Sequence, residues 1–425
     1  MTRLLIALSG PPLALPSTHR AALRRLAGPG LLVAVGYIDP GNWATDIAGG
    51  SDFGYRLLGV VLVSAVLAMG FQILVSRLAL ATGEDLATLT ARHLPAPLAR
   101  AAWLAGEAAI LATALAELIG GAIALRLLFG VPLAAGVAST AIGTLAVMLM
   151  ARQGARHHER IVTLLLAVVA LSFVYLLFVA NPDWGQAGLG LARTGAALSD
   201  RHGFMIALGI LGATLMPHNL YLHSGMLADR ARALPVPALD TAMRLARNET
   251  IVSLSLAMAI NAAIMIVAAA SLSGTLQVAS LDQAHAAIGA TLGAAAALIF
   301  AVALYAAGQS SAITGVMAGR ILSAGFRRSP SSDIRRVLLT RVAAGVIAIG
   351  MLAGSGRSDP DNLLVLSQVI LSLALPFALV PMVALSLRRR VMGPRVLRGA
   401  WAVVAVAATA LIVVLDLYLL ADAVA

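Results

Sequence analysis

Two apolar runs of this chain, each long enough to form a membrane helix, are interrupted near the middle by residues that helices disfavour. The run Leu31–Gly50 contains the segment Asp39–Asn42, and the run Phe204–Leu227 contains the segment Met216–Asn219. Pro removes a backbone donor and clashes with the preceding turn, Gly adds backbone freedom, and Asp is costly in hydrocarbon. Interrupted hydrophobic segments at corresponding places in two halves of a chain are the best sequence indication of a transporter's binding site.

The two interruptions correspond in sequence, because an alignment pairs Pro40 with Pro217 and Asn42 with Asn219. We predict that both runs are broken helices, with the breaks at Pro40 and Gly41 in the first and at Pro217 and Asn219 in the second. The recurrence indicates an internal repeat whose two halves run in opposite directions across the membrane.

Composition restricts the fold class to an all-α polytopic membrane protein. Of the 425 residues, 60% are hydrophobic and 12% are charged, and the mean hydropathy is +0.92. The apolar runs divide into about eleven segments, most of them near the roughly 20 residues that a spanning helix needs. We number these spans 1 to 11, so that the broken runs are spans 1 and 6. The predicted parts are a cytoplasmic tail (1–28), a first repeat of five spans (29–181), a second repeat of five spans (203–388) and an appended span 11 (398–425).

The positive charge follows the predicted topology. The net charge is +11, all 30 basic residues are Arg, and most of them cluster at every second loop. This is the pattern of the positive-inside rule, so we expect a cytoplasmic N-terminus and an external C-terminus, and no nucleic-acid partner. Cysteine is absent, which excludes disulfides and thiolate metal sites.

The two interruptions carry a compact set of metal-binding groups. Asp39 has a carboxylate, Asn42 an amide oxygen and Met216 a thioether. Pro40 and Pro217 each free a carbonyl four residues earlier, at Gly36 and Ala213. Hard Mg²⁺ and Ca²⁺ prefer sites made entirely of oxygen, whereas a thioether favours softer transition metals. The set therefore suits Mn²⁺ or Fe²⁺, with Co²⁺, Ni²⁺ and Cd²⁺ also accommodated.

Ionisable residues inside the spans indicate where protons are handled. His218 follows the second Pro, and a histidine at this depth beside a carboxylate suits proton transfer. Arg341 lies well inside span 9, so we predict that it pairs with an acid, namely Glu117 of span 3.

The motifs resemble those of the Nramp family of divalent-metal transporters over nearly the whole chain. The matching strings are Asp39-Pro40-Gly41-Asn42, Ala213-Thr214-Leu215-Met216-Pro217-His218-Asn219, Tyr221-Leu222-His223-Ser224, Ala307-Gly308-Gln309-Ser310-Ser311, Thr314-Gly315, Ser367-Gln368-Val369 and Leu375-Pro376-Phe377-Ala378. Met216 also distinguishes the chain from the family's magnesium-transporting relatives, which lack this Met.

The resemblance implies a LeuT-like fold of 5+5 inverted repeats and proton-coupled import of Mn²⁺ or Fe²⁺ by alternating access. The implied metal ligands are Asp39, Asn42, Met216 and the Ala213 carbonyl, joined in some conformations by the Gly36 carbonyl and Gln368. The implied proton pathway comprises His218, Glu107, Glu117 and Arg341. We expect a monomer in the bacterial inner membrane, with protons and lipid as partners and no resident cofactor, since the metal ion is the cargo.

One departure from the family pattern concerns coupling. Ala114 stands where the family usually has an Asp that resembles the first proton acceptor beyond the metal site. Its absence leaves two possibilities open, a proton route through His218 and Glu117 or a weakly coupled uniporter.

Three other functional classes fit the residues less well. A Na⁺-coupled carrier of organic solutes on the same fold would have a pocket without an Asp–Met pair. An intramembrane metalloenzyme would need a closed ligand set and a general base, such as His-Glu-x-x-His, which the sequence lacks. A passive channel fits two broken helices around one site less well than alternating access does.

Overall fold

The computed structural model describes residues 28–150, 155–273, 280–327, 333–354 and 360–424. Within these ranges the chain is helical without a strand, which confirms the all-α prediction. Apart from Gly28, the predicted tail 1–28 lies outside the described residues. The described α-helices, in chain order, are α1 Pro29–Gly36, α2 Pro40–Phe53, α3 Leu58–Thr82, α4 Leu86–His93, α5 Ala96–Phe129, α6 Leu133–Met150, α7 Ala155–Ala180, α8 Trp184–Ala192, α9 Thr194–Leu198, α10 Arg201–Thr214, α11 Pro217–Ala231, α12 Leu239–Leu272, α13 Leu281–Leu292, α14 Ala294–Arg327, α15 Asp333–Gly354, α16 Pro360–Ala374, α17 Pro376–Ser386, α18 Arg389–Met392 and α19 Ala400–Val424.

All eleven predicted spans occur as helices. The described residues contain eight helical segments that are long and apolar enough to cross a membrane, one of which, Pro40–Thr82, contributes to both span 1 and span 2. Shorter apolar helices at Leu133–Ala146 and Leu338–Ala353 correspond to spans 4 and 9.

The two predicted breaks are confirmed. Span 1 consists of α1, which ends at Gly36, and α2, which begins at Pro40. Span 6 consists of α10, which ends at Thr214, and α11, which begins at Pro217. In both spans Pro occupies the first helical position after the break, where its missing N–H leaves no helical bond unmade and its fixed φ suits a helix start.

The broken spans pack against long unbroken helices. The indole of Trp43 in α2 makes edge-on contacts with Phe173 of α7 and Phe300 of α14, with ring centroids 5.0 and 5.4 Å apart. Gly120 of α5 lies directly against the ring of Pro40, so a Cβ at Gly120 would collide with that ring. The start of α2, directly after the first break, is therefore packed within the core. In contrast, α19 lies at the periphery, with exposed apolar side chains such as Trp401 and Val403.

Three helix boundaries cannot be located from the apolar pattern alone. A positive φ of 94° at Gly293, which Gly adopts readily, separates α13 from α14, so span 8 begins at Ala294. Span 7 begins at Leu239 and includes polar first turns, because helices need no apolar residues where they extend beyond the lipid. Span 10 is interrupted at Leu375, between α16 and α17. Pro376 follows and has no N–H to continue the helical hydrogen bonds.

Candidate metal-binding site at the two helix breaks

Asp39 is the buried carboxylate of the first break. It is 1% exposed, and its Oδ1 accepts hydrogen bonds from the backbone N and the side-chain Nδ2 of Asn42, each at 3.0 Å. The first of these bonds caps α2, which explains why the helix restarts here. The other oxygen, Oδ2, is buried with no hydrogen-bond partner among the described residues. Asp39 therefore uses one oxygen to hold the break and leaves the second for a ligand.

Asn42 is oriented by its amide nitrogen. Besides the bond to Asp39, Nδ2 donates to the carbonyl of Tyr37 at 3.0 Å. Because both N–H groups of the amide are engaged inside the first break, its oxygen is the group left for coordination.

The second break contacts the first through Asn219. The side chain of Asn219 lies so close to Gly36 that a Cβ there would be 2.6 Å from its Oδ1. Its Nδ2 in turn donates to the sulfur of Met216 at 3.5 Å. Met216 is buried and packs with Ala112 and Leu371, which places the thioether in apolar surroundings beside the break. The amide of Asn219 thus contacts both the Met216 thioether in span 6 and Gly36 at the C-terminal end of α1.

Gln368 contacts the first break from α16, a helix outside the two broken spans. It is buried, and its amide occupies the place where a side chain on Gly41 would lie, so only Gly permits this approach. Its Nε2 donates to Ser367 at 3.1 Å, while its Oε1 has no partner among the described residues.

The region around the breaks therefore contains several buried oxygens without hydrogen-bond partners in the described part of the chain. They are Asp39 Oδ2, Asn219 Oδ1 and Gln368 Oε1. The carbonyls of Gly36 and Ala213 also lose their helical partners, since Pro40 and Pro217 have no N–H, and no other backbone N–H of the described residues replaces them. Buried acceptors left unmatched are costly, and a bound cation would satisfy them together.

A second group of ionisable residues connects the breaks to α5 and α15. The buried His218 places Nδ1 3.1 Å from Oγ1 of Thr113 in α5. One turn further along α5, Glu117 forms an ion pair with Arg341, with Oε2 and Nη2 2.7 Å apart and side chains 0% and 6% exposed. The predicted pairing of Glu117 with Arg341 is therefore confirmed. Arg341 also donates to the carbonyl of Ala312 at 2.9 Å.

Ala114 lines a cavity together with this ion pair. The cavity is bounded by α5, α14 and α15, and its lining includes Ala114, Glu117, Gly315 and Arg341. Glu107 lies elsewhere. It is half-buried, accepts a hydrogen bond from Nε1 of Trp103 at 2.9 Å, and lies ten residues from Glu117, which is about 15 Å along a helix. The structure thus brings Glu117 and Arg341 together and keeps Glu107 apart.

A polar network on the other side of the first break is not predicted by the sequence motifs. Nε2 of Gln72 donates to the hydroxyl of Tyr37, and Oε1 of Gln72 lies 2.9 Å from Nδ1 of His223, so α3 and α11 are joined to the break. Asn261 of α12 donates to the carbonyl of Tyr37 at 2.9 Å. The available signal was a polar residue inside an otherwise apolar span, as with Gln72 and Asn261.

Among the described residues, no three His, Cys, Asp or Glu side chains are grouped as a metal cluster. The donors at the breaks are instead one carboxylate, three amides, backbone carbonyls and one thioether. Such a set relies on backbone and amide oxygens, and its sulfur distinguishes it from the sites that hard cations prefer.

Comparisons with known proteins identify one family of transporters. Residues 30–422 match the model of the family described as natural resistance-associated macrophage protein-like, Nramp. The "divalent metal cation transporter MntH" of Brucella suis is 45% identical over 93% of this chain and 87% of its own length. A crystal structure of a mutant of the Eremococcus coleocola manganese transporter superposes with a TM-score of 0.86 at 33% identity, covering 97% of this chain and 90% of its own. Mhp1, a nucleobase-cation-symport-1 family transporter, superposes with a TM-score of 0.63 at 17% identity over 92% of this chain and 88% of its own, which shows the fold alone.

Proposed function

This chain belongs to the Nramp family and has a LeuT-like fold with broken spans 1 and 6, and from that premise we propose that it imports divalent transition metals, Mn²⁺ or Fe²⁺, by alternating access. The observation that carries the proposal is the contact of the two breaks, where Asn219 lies against Gly36 and donates to the Met216 sulfur. Buried oxygens of Asp39, Asn219 and Gln368 have no hydrogen-bond partner among the described residues. The names of the relatives, as divalent metal and manganese transporters, support the same class of substrate.

In this proposal the cargo is held by Asp39, Asn42, Met216 and the Ala213 carbonyl. The Gly36 carbonyl and Gln368 join as the helices move. Metal arrives from outside as Asp39 releases a proton or a water molecule. The two broken spans then tilt against the long scaffold helices, and the metal leaves along a cytoplasmic path near the start of α1. Co²⁺ and Cd²⁺ would be carried as well, since the same donors suit them.

Proton movement is proposed to accompany the metal through His218 and the Glu117–Arg341 pair. His218 of α11 bonds to Thr113 of α5, and Thr113 lies one turn from Glu117. His218 and the Glu117–Arg341 pair are therefore next to the same face of α5. Ala114 supplies no titratable group in the cavity that this pair lines. An uncoupled or weakly coupled uniporter is therefore the alternative.

The proposed setting is the inner membrane of a bacterial cell, with the N-terminus cytoplasmic and the C-terminus external. The distribution of arginine supports this orientation. The two inverted repeats, residues 29–181 and 203–388, would exchange roles as the site opens to one side and then the other, with residues 398–425 appended and a monomer as the working unit.

Uptake into proteoliposomes tests the proposal directly. Purified protein is reconstituted, Mn²⁺, Ca²⁺ or Mg²⁺ is added outside, and metal entry and internal pH are followed together. We expect Mn²⁺ to enter and Ca²⁺ and Mg²⁺ to be rejected, because the site contains a soft donor. Equal entry of Ca²⁺, or no entry of Mn²⁺, would overturn the assignment of substrate. Mn²⁺ entry without acidification would favour the uniporter.

Met216→Ala should reduce selectivity more than it reduces uptake. Removing the thioether leaves only oxygen donors, so Mn²⁺ uptake should persist in part while Ca²⁺ and Mg²⁺ begin to compete. The measurement is inhibition of Mn²⁺ uptake by added Ca²⁺. Met226→Ala, in α11 but away from the break, is the matched control. Unchanged discrimination against Ca²⁺ in Met216→Ala would remove the role assigned to the sulfur.

Ala114→Asp should increase proton entry during metal uptake. The new carboxyl group would lie in the cavity that Glu117 and Arg341 line and would add a titratable group there. The readout is acidification of the liposome lumen per Mn²⁺ transported, with Ala114→Asn as the control that matches size without titrating. Equal acidification by the two variants would show that the missing acid does not limit coupling.

A further inference from the structure

A buried carboxyl group in span 11 lies outside the site at the helix breaks. Asp416 is 6% exposed, although α19 presents many of its apolar side chains outward. Its Oδ1 accepts a hydrogen bond from the hydroxyl of Ser372 in α16, and its Oδ2 is buried without a partner among the described residues. A carboxyl group at membrane depth is costly, and its presence there indicates a function.

Asp416 borders a cavity between α10, α16 and α19. The lining includes Leu211, Gly212, Leu215, Ser372 and Ile412, and Ser372 and Asp416 supply its polar side chains within the described part of the chain. The unpartnered Oδ2 therefore has apolar side chains around it.

The charged groups on the helices that pack against α19 are engaged elsewhere. These helices are α3, α10, α16 and α17. Arg201 at the start of α10 bonds to Asp422 at 2.6 Å, and His202 bonds to Asp52 at 2.9 Å. Arg77 of α3 donates to a backbone carbonyl, that of Arg395.

Asp361, at the start of α16, accepts from the backbone N of Leu281 at 2.9 Å, and α17 has no charged residue. Within α19 itself, Tyr418 stacks edge-on against Phe204, with ring centroids 5.4 Å apart, and Asp422 is the residue that holds Arg201. Among the described residues, Asp416 thus has no cationic partner.

Ser372 connects Asp416 to the surroundings of the metal site through two helices, α16 and α10. It lies four residues after Gln368, and therefore one turn away on the same face of α16. It also touches Gly212, where a Cβ would be 3.0 Å from its Oγ, and Gly212 directly precedes Ala213. A movement of α10 at the second break must therefore change the surroundings of Asp416.

We propose that Asp416 is a proton-binding site that is loaded and emptied as α10 moves against spans 10 and 11. The proposal rests on the transport function proposed above. In the closed cavity the neutral acid is the less costly form, with the proton on Oδ2 while Ser372 donates to Oδ1. When α10 moves away, the water that enters the cavity accepts the proton from Oδ2, and a proton from the same water returns to Oδ2 before the cavity closes. The opening of the cavity is thus linked to the proton concentration of the water that enters it.

Asp416→Asn tests the proposal, because Asn keeps an oxygen for Ser372 but binds no proton. The probe is Mn²⁺ uptake into proteoliposomes with internal pH recorded at several external pH values. We expect Mn²⁺ uptake to continue, while its dependence on external pH becomes weaker than in wild type, because the variant has no proton to release when the cavity opens. Asp422→Asn, on the same helix, is the matched control and should behave as wild type.

An unchanged dependence of Mn²⁺ uptake on external pH in Asp416→Asn overturns the proposal. Wild-type uptake of Mn²⁺ that does not depend on external pH also overturns it, although the transport function would stand. If wild-type liposomes take up no Mn²⁺, the transport function itself fails. Asp416→Glu keeps a carboxyl group and should keep the pH dependence of uptake, so equal loss of that dependence in the Asn and Glu variants would assign Asp416 to packing and overturn the proposal. If Asp416→Asn is not monodisperse on gel filtration, Asp416→Ser provides the same comparison.

Discussion

Asp39→Ala should abolish metal uptake, with a loss greater than about 100-fold, because groups that only support a metal ligand already contribute about 10- to 100-fold. Asp39 is the only carboxylate that the described residues place at the two breaks, and its Oδ2 is buried without another partner. Its replacement would remove the negative charge that compensates a divalent cation leaving water. The measurement is initial Mn²⁺ uptake into proteoliposomes at matched protein density.

Asp39→Asn separates the charge from the helix cap. The amide oxygen of Asn can still accept the bond from the Asn42 backbone, so α2 should begin as before. We expect this variant to be as thermally stable as wild type and as inactive as Asp39→Ala. Near-normal uptake by Asp39→Asn would mean that Asp39 acts through the cap and does not bind metal as an anion.

Arg341→Ala should be the most destabilising of the substitutions considered. It would leave Glu117, which is fully buried, without its cation. Breaking a buried ion pair by removing one partner typically costs about 3–5 kcal/mol, since an uncompensated charge remains. The apparent Tm in detergent, measured by the fraction that stays monodisperse after heating, should fall by several degrees.

The double variant Arg341→Ala with Glu117→Gln distinguishes charge from packing. A neutral amide in place of the Glu117 carboxylate would need no cation, so the double variant should recover much of the lost stability while the volume left by Arg341 stays empty. Arg320→Ala, which removes an exposed arginine from α14, is a matched control that should change Tm little. If the double variant is no more stable than Arg341→Ala, the loss comes from packing and not from an unpaired charge.

The sequence was sufficient for the fold because the bilayer limits the alternatives. Long apolar runs must be helices where water is absent, and Pro next to Asp, Gly or Asn disfavours a continuous helix, so the breaks at Pro40 and Pro217 could be located correctly. The pairing of Arg341 with Glu117 was also predictable, because an arginine inside a span requires an acid and few acids are available. The roles of Asp39, Asn42 and Met216 as ligands remain predictions.

Features that depend on packing between distant helices were not predictable. The joint at Gly293 depends on a positive φ that Gly permits but does not require. The network from Tyr37 through Gln72 to His223 brings together three spans, and no spacing along the chain reveals it. Nothing in the apolar run around Asp416 indicated a partner for it, and only the structure places Ser372 beside it.

The close packing of Pro40 against Gly120 limits which substitutions the chain can accept near the first break. Because the ring occupies the space of an absent side chain, a single added methyl group on α5 would displace the start of α2. Asp39 immediately precedes that start, so the displacement would reach the carboxylate itself. Gly120, which is not among the proposed metal ligands, therefore limits where the Asp39 carboxylate can lie, and related chains should vary freely around this contact but hardly at it.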